Sequence, residues 1–143
     1  MLREARGCSC LGLRRAGRAV SRIYDSALQP AGLKGTQFSL LAVVANLSPT
    51  NPVEVAEMMA MDRTTLSRNL RPLVAAGLIA LEPGEEDRRR RSVVLTAKGR
   101  ATLEKAMPLW RQAQRRTEEA VGKGRMGRLR EDLDRVVRGT GGS

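Results

Sequence analysis

The sequence predicts a mainly α fold carrying one β-hairpin, and three observations lead there. Over most of the 143 residues, apolar side chains recur at the spacing that lines one face of a helix. The period shifts to short β-like runs at one place, residues 78–95. Only Tyr24, Phe38 and Trp110 are aromatic. The core is therefore left to Leu, Val, Ala and Met, which suits packed helices better than a β-sandwich. A chain of this length supports one such core.

The first helix runs from Leu11 to Leu28. Leu13, Val20, Ile23, Ala27 and Leu28 recur at helical spacing, Arg14, Arg15, Arg18 and Arg22 fill the other face, and Pro30 with Gly32 ends it. The second spans about Thr36 to Asn46, with Phe38, Leu41 and either Val44 or Ala45 turned inward. Asn51-Pro52-Val53-Glu54 is a helix start, with an Asn cap, Pro at the first helical position and Glu three residues on. That helix is short and ends near Ala60.

After a turn at Ala60-Met61-Asp62, Asp62 caps a helix whose buried side is Leu66, Leu70, Leu73 and Val74, and Gly77 closes it. Pro72 should kink this helix or loosen its last turn. Leu78–Leu81 and Ser92–Leu95 then read as two strands around the polar stretch Glu82–Arg91. That loop is too long for a tight turn and is expected to project as a flexible wing. Thr96 caps a long helix with Leu103, Ala106, Met107, Trp110, Ala113, Thr117 and Val121 on one stripe, and Pro108 should bend it. Gly122 and Gly124 interrupt it, and a last helix carries Leu129, Leu133, Val136 and Val137. Residues 1–7 and 138–143 are expected to be flexible ends.

Charge narrows the partner. The chain carries +11, and 22 of its 26 basic residues are arginine, the side chain whose planar fork fits phosphates and guanine edges. Such an excess implies a polyanion, with nucleic acid first and a membrane surface as the competing reading. No apolar run approaches the roughly 20 residues that span a bilayer, and no secretory signal follows the basic N-terminus. Two closely spaced cysteines make no disulfide framework, so a cytoplasmic location is expected. The sequence has no histidine, which removes the commonest general base and metal ligand together. Neither an enzyme nor a cofactor or metal site is expected.

Helix, helix, short helix, turn, helix and hairpin are the order of a winged helix-turn-helix. Opposite Leu66 and Leu70, the second helix of the pair carries Thr64, Arg68 and Arg71, with Thr65 at the margin. Small hydroxyls allow close approach to a major groove, and Arg can hold guanine O6 and N7 together. Any surface helix also has a polar outside, so the wing decides. Arg88, Arg89, Arg90 and Arg91 repel one another, and a narrow minor groove attracts arginine.

Several stretches resemble the MarR family of bacterial regulators, over residues of about 8–121. Asp87-Arg88-Arg89 followed by Leu95-Thr96-Ala97-Lys98-Gly99 is similar to that family's wing signature, and Asp62 to Leu70 to its recognition helix. Arg18, Tyr24-Asp25, Leu28, Gly32-Leu33, Gln37-Phe38 and Leu41 fit its first two helices. The resemblance implies that Arg68 enters the major groove with Thr64, Thr65 and Asn69, beside Arg63, Ser67 and Arg71. It implies that Arg89, flanked by Arg88 and Arg90, reaches the minor groove while Asp87 pairs with a neighbouring Arg. It further implies three regions: a dimerisation helix over 8–30, a DNA-binding lobe over 34–96, and C-terminal dimerisation helices over 97–137.

Fold, charge and resemblance together imply a homodimeric regulator on an inverted-repeat operator of double-stranded DNA, a repressor released by a small-molecule effector or by thiol oxidation. The alternative is a non-specific basic binder of DNA or RNA. Most of the excess charge lies outside the helix-turn-helix and wing: residues 61–91 set seven Arg against five acidic residues for +2, whereas residues 92–143 net +6 and residues 1–25 net +4. The first and fifth helices therefore either contact phosphates too or are solvated faces. Cys8 and Cys10 read either as small residues at a helix start or as a redox switch. Tyr24, Met107 and Trp110 read either as core or as the lining of an effector pocket.

Overall fold

The helices fall where the apolar periods and caps place them. A single turn, α1 (Leu2–Ala5), precedes α2 (Ser9–Leu28), a short 3-10 helix (Gln29–Ala31), α3 (Gly35–Leu47), α4 (Pro52–Met58) and α5 (Arg63–Ala75). Strands β1 (Ile79–Pro83) and β2 (Arg91–Leu95) follow, then α6 (Ala97–Val121) and α7 (Met126–Thr140). The structure is a computed structural model that describes residues 2–140, with side chains from residue 4 onward. It is mainly helical with one two-stranded antiparallel sheet, a winged helix-turn-helix.

Of the expected flexible ends, residue 1 and residues 141–143 lie outside the described residues. Residues 2–5 are helical, and α7 runs on through Gly139 to Thr140, whose hydroxyl donates to the Val136 carbonyl at 2.7 Å. Pro72 and Pro108 sit inside α5 and α6 without ending either helix. Both are exposed, so water can take the carbonyl that each proline leaves without a helical donor.

The core gathers around α3, which buries Phe38, Leu40, Leu41 and Val44 and so settles the choice between Val44 and Ala45. Leu28 from α2, Val55 from α4, Leu66 and Leu73 from α5, Val93 from β2 and Ala106 from α6 close over it. Each of these is nearly or wholly removed from water, so truncating one of the larger side chains would cost about 2–5 kcal/mol through lost burial and the cavity left.

Register in the hairpin pairs Ile79 with Leu95 and Pro83 with Arg91, so the strands reach further into the polar stretch than their apolar runs suggest. Thr50 adds a one-residue third rung. Its N–H donates to the Val93 carbonyl at 3.2 Å and its carbonyl accepts the Val93 N–H at 2.7 Å.

A joint at residues 96–99 fixes α5, β1 and α6 together. The Thr96 hydroxyl caps α6 by accepting the Gly99 N–H at 2.9 Å, and donates at 2.6 Å to the Gly77 carbonyl, just past α5. The Lys98 ammonium takes the Ala76 carbonyl at 2.8 Å. Both groups satisfy carbonyls that a helix end leaves without donors. Gly99 lets the helix lie against Leu78, because a Cβ there would stand 2.0 Å from the Leu78 carbonyl oxygen.

Candidate nucleic-acid interface

The turn between α4 and α5 is built by backbone. Ala60 adopts a left-handed φ of 50°, and the Met61 N–H returns to the Ala56 carbonyl at 2.9 Å, which closes the turn after α4. Asp62 then caps α5, its Oδ1 accepting the Thr65 N–H at 2.7 Å. That backbone hydrogen bond is the main reason the Asp62 carboxyl lies below its ordinary value; the nearby Arg68 charge adds to it.

With Leu66, Leu70 and Leu73 buried, the opposite face of α5 is open to solvent and shows Arg63, Thr64, Ser67, Arg68 and Arg71 around one shallow hollow. These positions share one helical side, and together they expose guanidinium forks and small hydroxyls. Thr65 and Asn69 do not join them. Both are half-buried, and Asn69 Nδ2 donates at 2.8 Å to the Thr65 carbonyl one turn back.

At the wing tip, the Gly84 N–H donates to the Arg90 carbonyl at 2.6 Å and the Arg90 N–H to the Asp87 carbonyl at 3.0 Å. A Cβ on Gly84 would stand 2.8 Å from both of those carbonyl oxygens, so the turn requires glycine. Asp87 does not pair with an arginine side chain. Its Oδ1 accepts the Arg89 backbone N–H at 2.9 Å, and the ion pairs among the described residues lie elsewhere, at Arg130–Glu118 and Arg135–Asp132. The local bond wins because it costs little side-chain entropy, whereas an exposed ion pair is worth about 0–1 kcal/mol. The side chains of Arg88 to Arg91 are all exposed.

Arg91, part of the four-arginine run in the sequence though not among the wing residues that the resemblance implies, also belongs to this surface. It borders a hollow shared by the wing, α4 and the start of α5. The Thr50 rung behind the wing is also invisible in sequence, since one paired residue has no period. The glycine after Pro83 was the one available sign of the tight tip.

The other candidates lie apart. Trp110 stacks on Phe38 with ring centroids 5.8 Å apart, and Met107 and Tyr24 are half-buried against the same core. The hollows along α4, α5, the wing and α2 are lined by other residues. The Tyr24 hydroxyl donates to Gln114 Oε1 at 2.5 Å, and burial raises its pKa. Gln114 Nε2 in turn donates to Glu118 Oε1, which also accepts from Arg130 Nη2 at 2.8 Å, tying α2, α6 and α7 in one chain. Cys8 immediately precedes α2 without a side-chain capping bond and Cys10 lies in its first turn, both exposed and not bonded to each other. Among the described residues, no helix is long and apolar enough to cross a membrane.

The MarR family model matches residues 31–90, the segment that holds α3, α4, α5 and most of the wing. The chain is 30% identical over 100 residues to the HTH-type transcriptional repressor NicR of Pseudomonas putida, a match covering 70% of this chain and 63% of NicR. It therefore spans a little under two thirds of that curated relative's length. Among solved structures, the Mycobacterium tuberculosis transcriptional regulator MosR in complex with DNA is 41% identical, with a TM-score of 0.83, 92% of this chain covered and 95% of that one. The transcriptional repressor CouR bound to a 23-mer DNA duplex is 28% identical, with a TM-score of 0.82 and coverage of 93% and 94%. With the helix-turn-helix, the wing and the joint at residues 96–99 in place, and with this identity to MosR along nearly its whole length, the chain belongs to the MarR family.

Proposed function

We propose that the chain is a homodimeric transcriptional regulator that binds duplex DNA by sequence, and that it represses until a small molecule or thiol oxidation releases it. One observation carries the DNA reading. The open face of α5, with Thr64, Ser67, Arg68 and Arg71, runs through Arg63 into the arginine-bearing wing, so one continuous surface offers a helix and a projecting loop. A helix of this chemistry fits a major groove, and an arginine loop beside it fits the adjacent minor groove. That MosR and CouR have been solved on DNA supports the same assignment. Dimerisation is supported by α7, whose Leu133, Val136 and Val137 remain exposed in the single chain.

Selection of bound sequences from a random duplex library tests the reading, with Arg68→Ala beside the wild type. An enriched inverted repeat is expected, blurred in the variant by about 1–3 kcal/mol of lost discrimination. Arg89→Ala should instead weaken every duplex alike. No enrichment for the wild type would leave a non-specific basic binder.

The release mechanism has two branches. CouR has been solved with p-coumaroyl-CoA, which supports a small-molecule effector here as well. The exposed Cys8 and Cys10 support the thiol branch. Cysteines at i and i+2 of a helical start point to different sides, so a disulfide between them requires the first turn of α2 to unwind. Operator affinity is expected to fall on peroxide treatment of the wild type and to hold in Cys8→Ser/Cys10→Ser. Equal loss in both proteins would remove the thiol branch.

A further inference from the structure

We infer that the hollow between the start of α4, the start of α5 and the wing seats one phosphate of the DNA backbone, and that Arg63 and Arg91 close it. The inference rests on the reading of α5 and the wing as a duplex-DNA surface. The hollow has a volume of about 600 Å³, and Arg63 from α5 and Arg89, Arg90 and Arg91 from the wing all border it. Arg63 and Arg91 also border the apolar groove on their other side, against Leu66, Leu70 and Leu81. They therefore stand on the ridge where the helix meets the base of the wing.

That ridge has a defined place on a duplex. Neighbouring major and minor grooves are separated by one sugar–phosphate strand. A protein that puts a helix into one groove and a loop into the next must straddle that strand, so residues at the seam face phosphates and not base edges. Charge agrees with the geometry. The one carboxylate lining the hollow, Glu54, is already engaged, its Oε2 accepting the Thr50 hydroxyl at 2.5 Å and the Asn51 N–H at 3.4 Å. Glu54 keeps its charge, but Arg63, Arg89, Arg90 and Arg91 outnumber it and leave the hollow net positive. Paired N–H forks such as those of Arg63 and Arg91 are the groups that hold a phosphate in a fixed orientation.

The two arginines thus contribute affinity without sequence information, a different role from that of Arg68. The test measures dissociation constants of Arg63→Ala, Arg91→Ala and Arg91→Lys on the full chain, for the enriched duplex and a random duplex, between about 50 and 200 mM salt. Each alanine variant should lower the slope of log affinity against log salt by about 0.9, so that it loses about 3.5-fold less affinity than the wild type across that range. Both duplexes should weaken by the same factor, the selected sequence should not change, and Arg91→Lys should keep the wild-type slope. Thermal melting should be unaltered, since both side chains are exposed.

Calorimetry with inorganic phosphate distinguishes a free anion from the backbone. Phosphate binding that Arg91→Ala abolishes while the DNA slope stays unchanged would make this a free-anion site and overturn the proposal. Unchanged slopes in both alanine variants, or a changed sequence preference in Arg91→Ala, would also overturn it. A wild type that binds no duplex at all would instead bring down the DNA reading on which the seat rests.

Discussion

At the scale of single residues, the interface is a division between side chains spent on shape and side chains left free. Asp62, Asn69 and Asp87 all bond to nearby backbone, at Thr65, Thr65 and Arg89, and so are part of the scaffold. Thr64, Ser67, Arg68 and Arg71 have no such duty and remain open. The Asp62 cap carries a pH signature. Its carboxyl is held below the ordinary value, chiefly by the Thr65 backbone bond, so its stabilisation is complete above the unfolded pKa and is lost as pH falls through the folded one. Asp62→Asn should therefore flatten the fall in melting temperature below about pH 4, while at neutral pH the variant still offers a capping oxygen. Melting curves of the two proteins that stay parallel from neutral pH into acid would show that the cap is not titrating. Asp62 was legible in the sequence because a cap needs only a residue type and a position. Asp87 was not: the family resemblance implied an ion pair with a neighbouring Arg, and only geometry shows the closer backbone donor.

At the scale of elements, legibility tracked period and punctuation. Asn51-Pro52-Val53-Glu54 caps α4 as its letters imply, Asn51 accepting the Glu54 N–H at 3.0 Å, and Gly77 turns the chain after α5 with a φ of 72°. The ends of the hairpin were less legible, because Glu82, Pro83 and Arg91 join the ladder through backbone pairing that their side chains do not announce. The Leu95-Thr96-Ala97-Lys98-Gly99 run could be read as a resemblance, yet its work is visible only in three dimensions. It ties the carbonyl end of α5 to the first turn of α6, so the orientation of α5 depends on it. Gly99→Ala tests that dependence. The added carbon would overlap the Leu78 carbonyl, a backbone atom that cannot swing aside. Melting should show a loss of about 1–3 kcal/mol or more, and DNA affinity should fall even at temperatures where the variant is folded. A variant as stable as the wild type would mean that α6 can slide away from β1 freely.

At the scale of the whole molecule, the question is what covers the surfaces that a single chain leaves apolar. On α7, Leu133, Val136 and Val137 are 41%, 45% and 49% exposed, and on α2 Leu11 and Leu13 are 45% and 44% exposed. An edge of this kind on a helix anchored at only one end, by Met126 and the Arg130–Glu118 pair, is poor design for a monomer and suits an interface between two copies. Leu133→Asp/Val137→Asp should consequently separate the copies without unfolding either. Burying the remaining half of such a side chain is worth about 1 kcal/mol. Two lost in each copy remove on the order of 4 kcal/mol, or about a thousandfold in dimerisation, before the new charges are counted. Sedimentation velocity should report a monomer with an unchanged melting temperature extrapolated to low concentration. On DNA, the variant should retain the preference for a half-site and lose the gain from a second half-site one helical turn away. A variant that stays dimeric would place the two-fold contact on another surface. One that unfolds would mean these side chains belong to the chain's own core, and the exposed edge of α7 would then need a different partner.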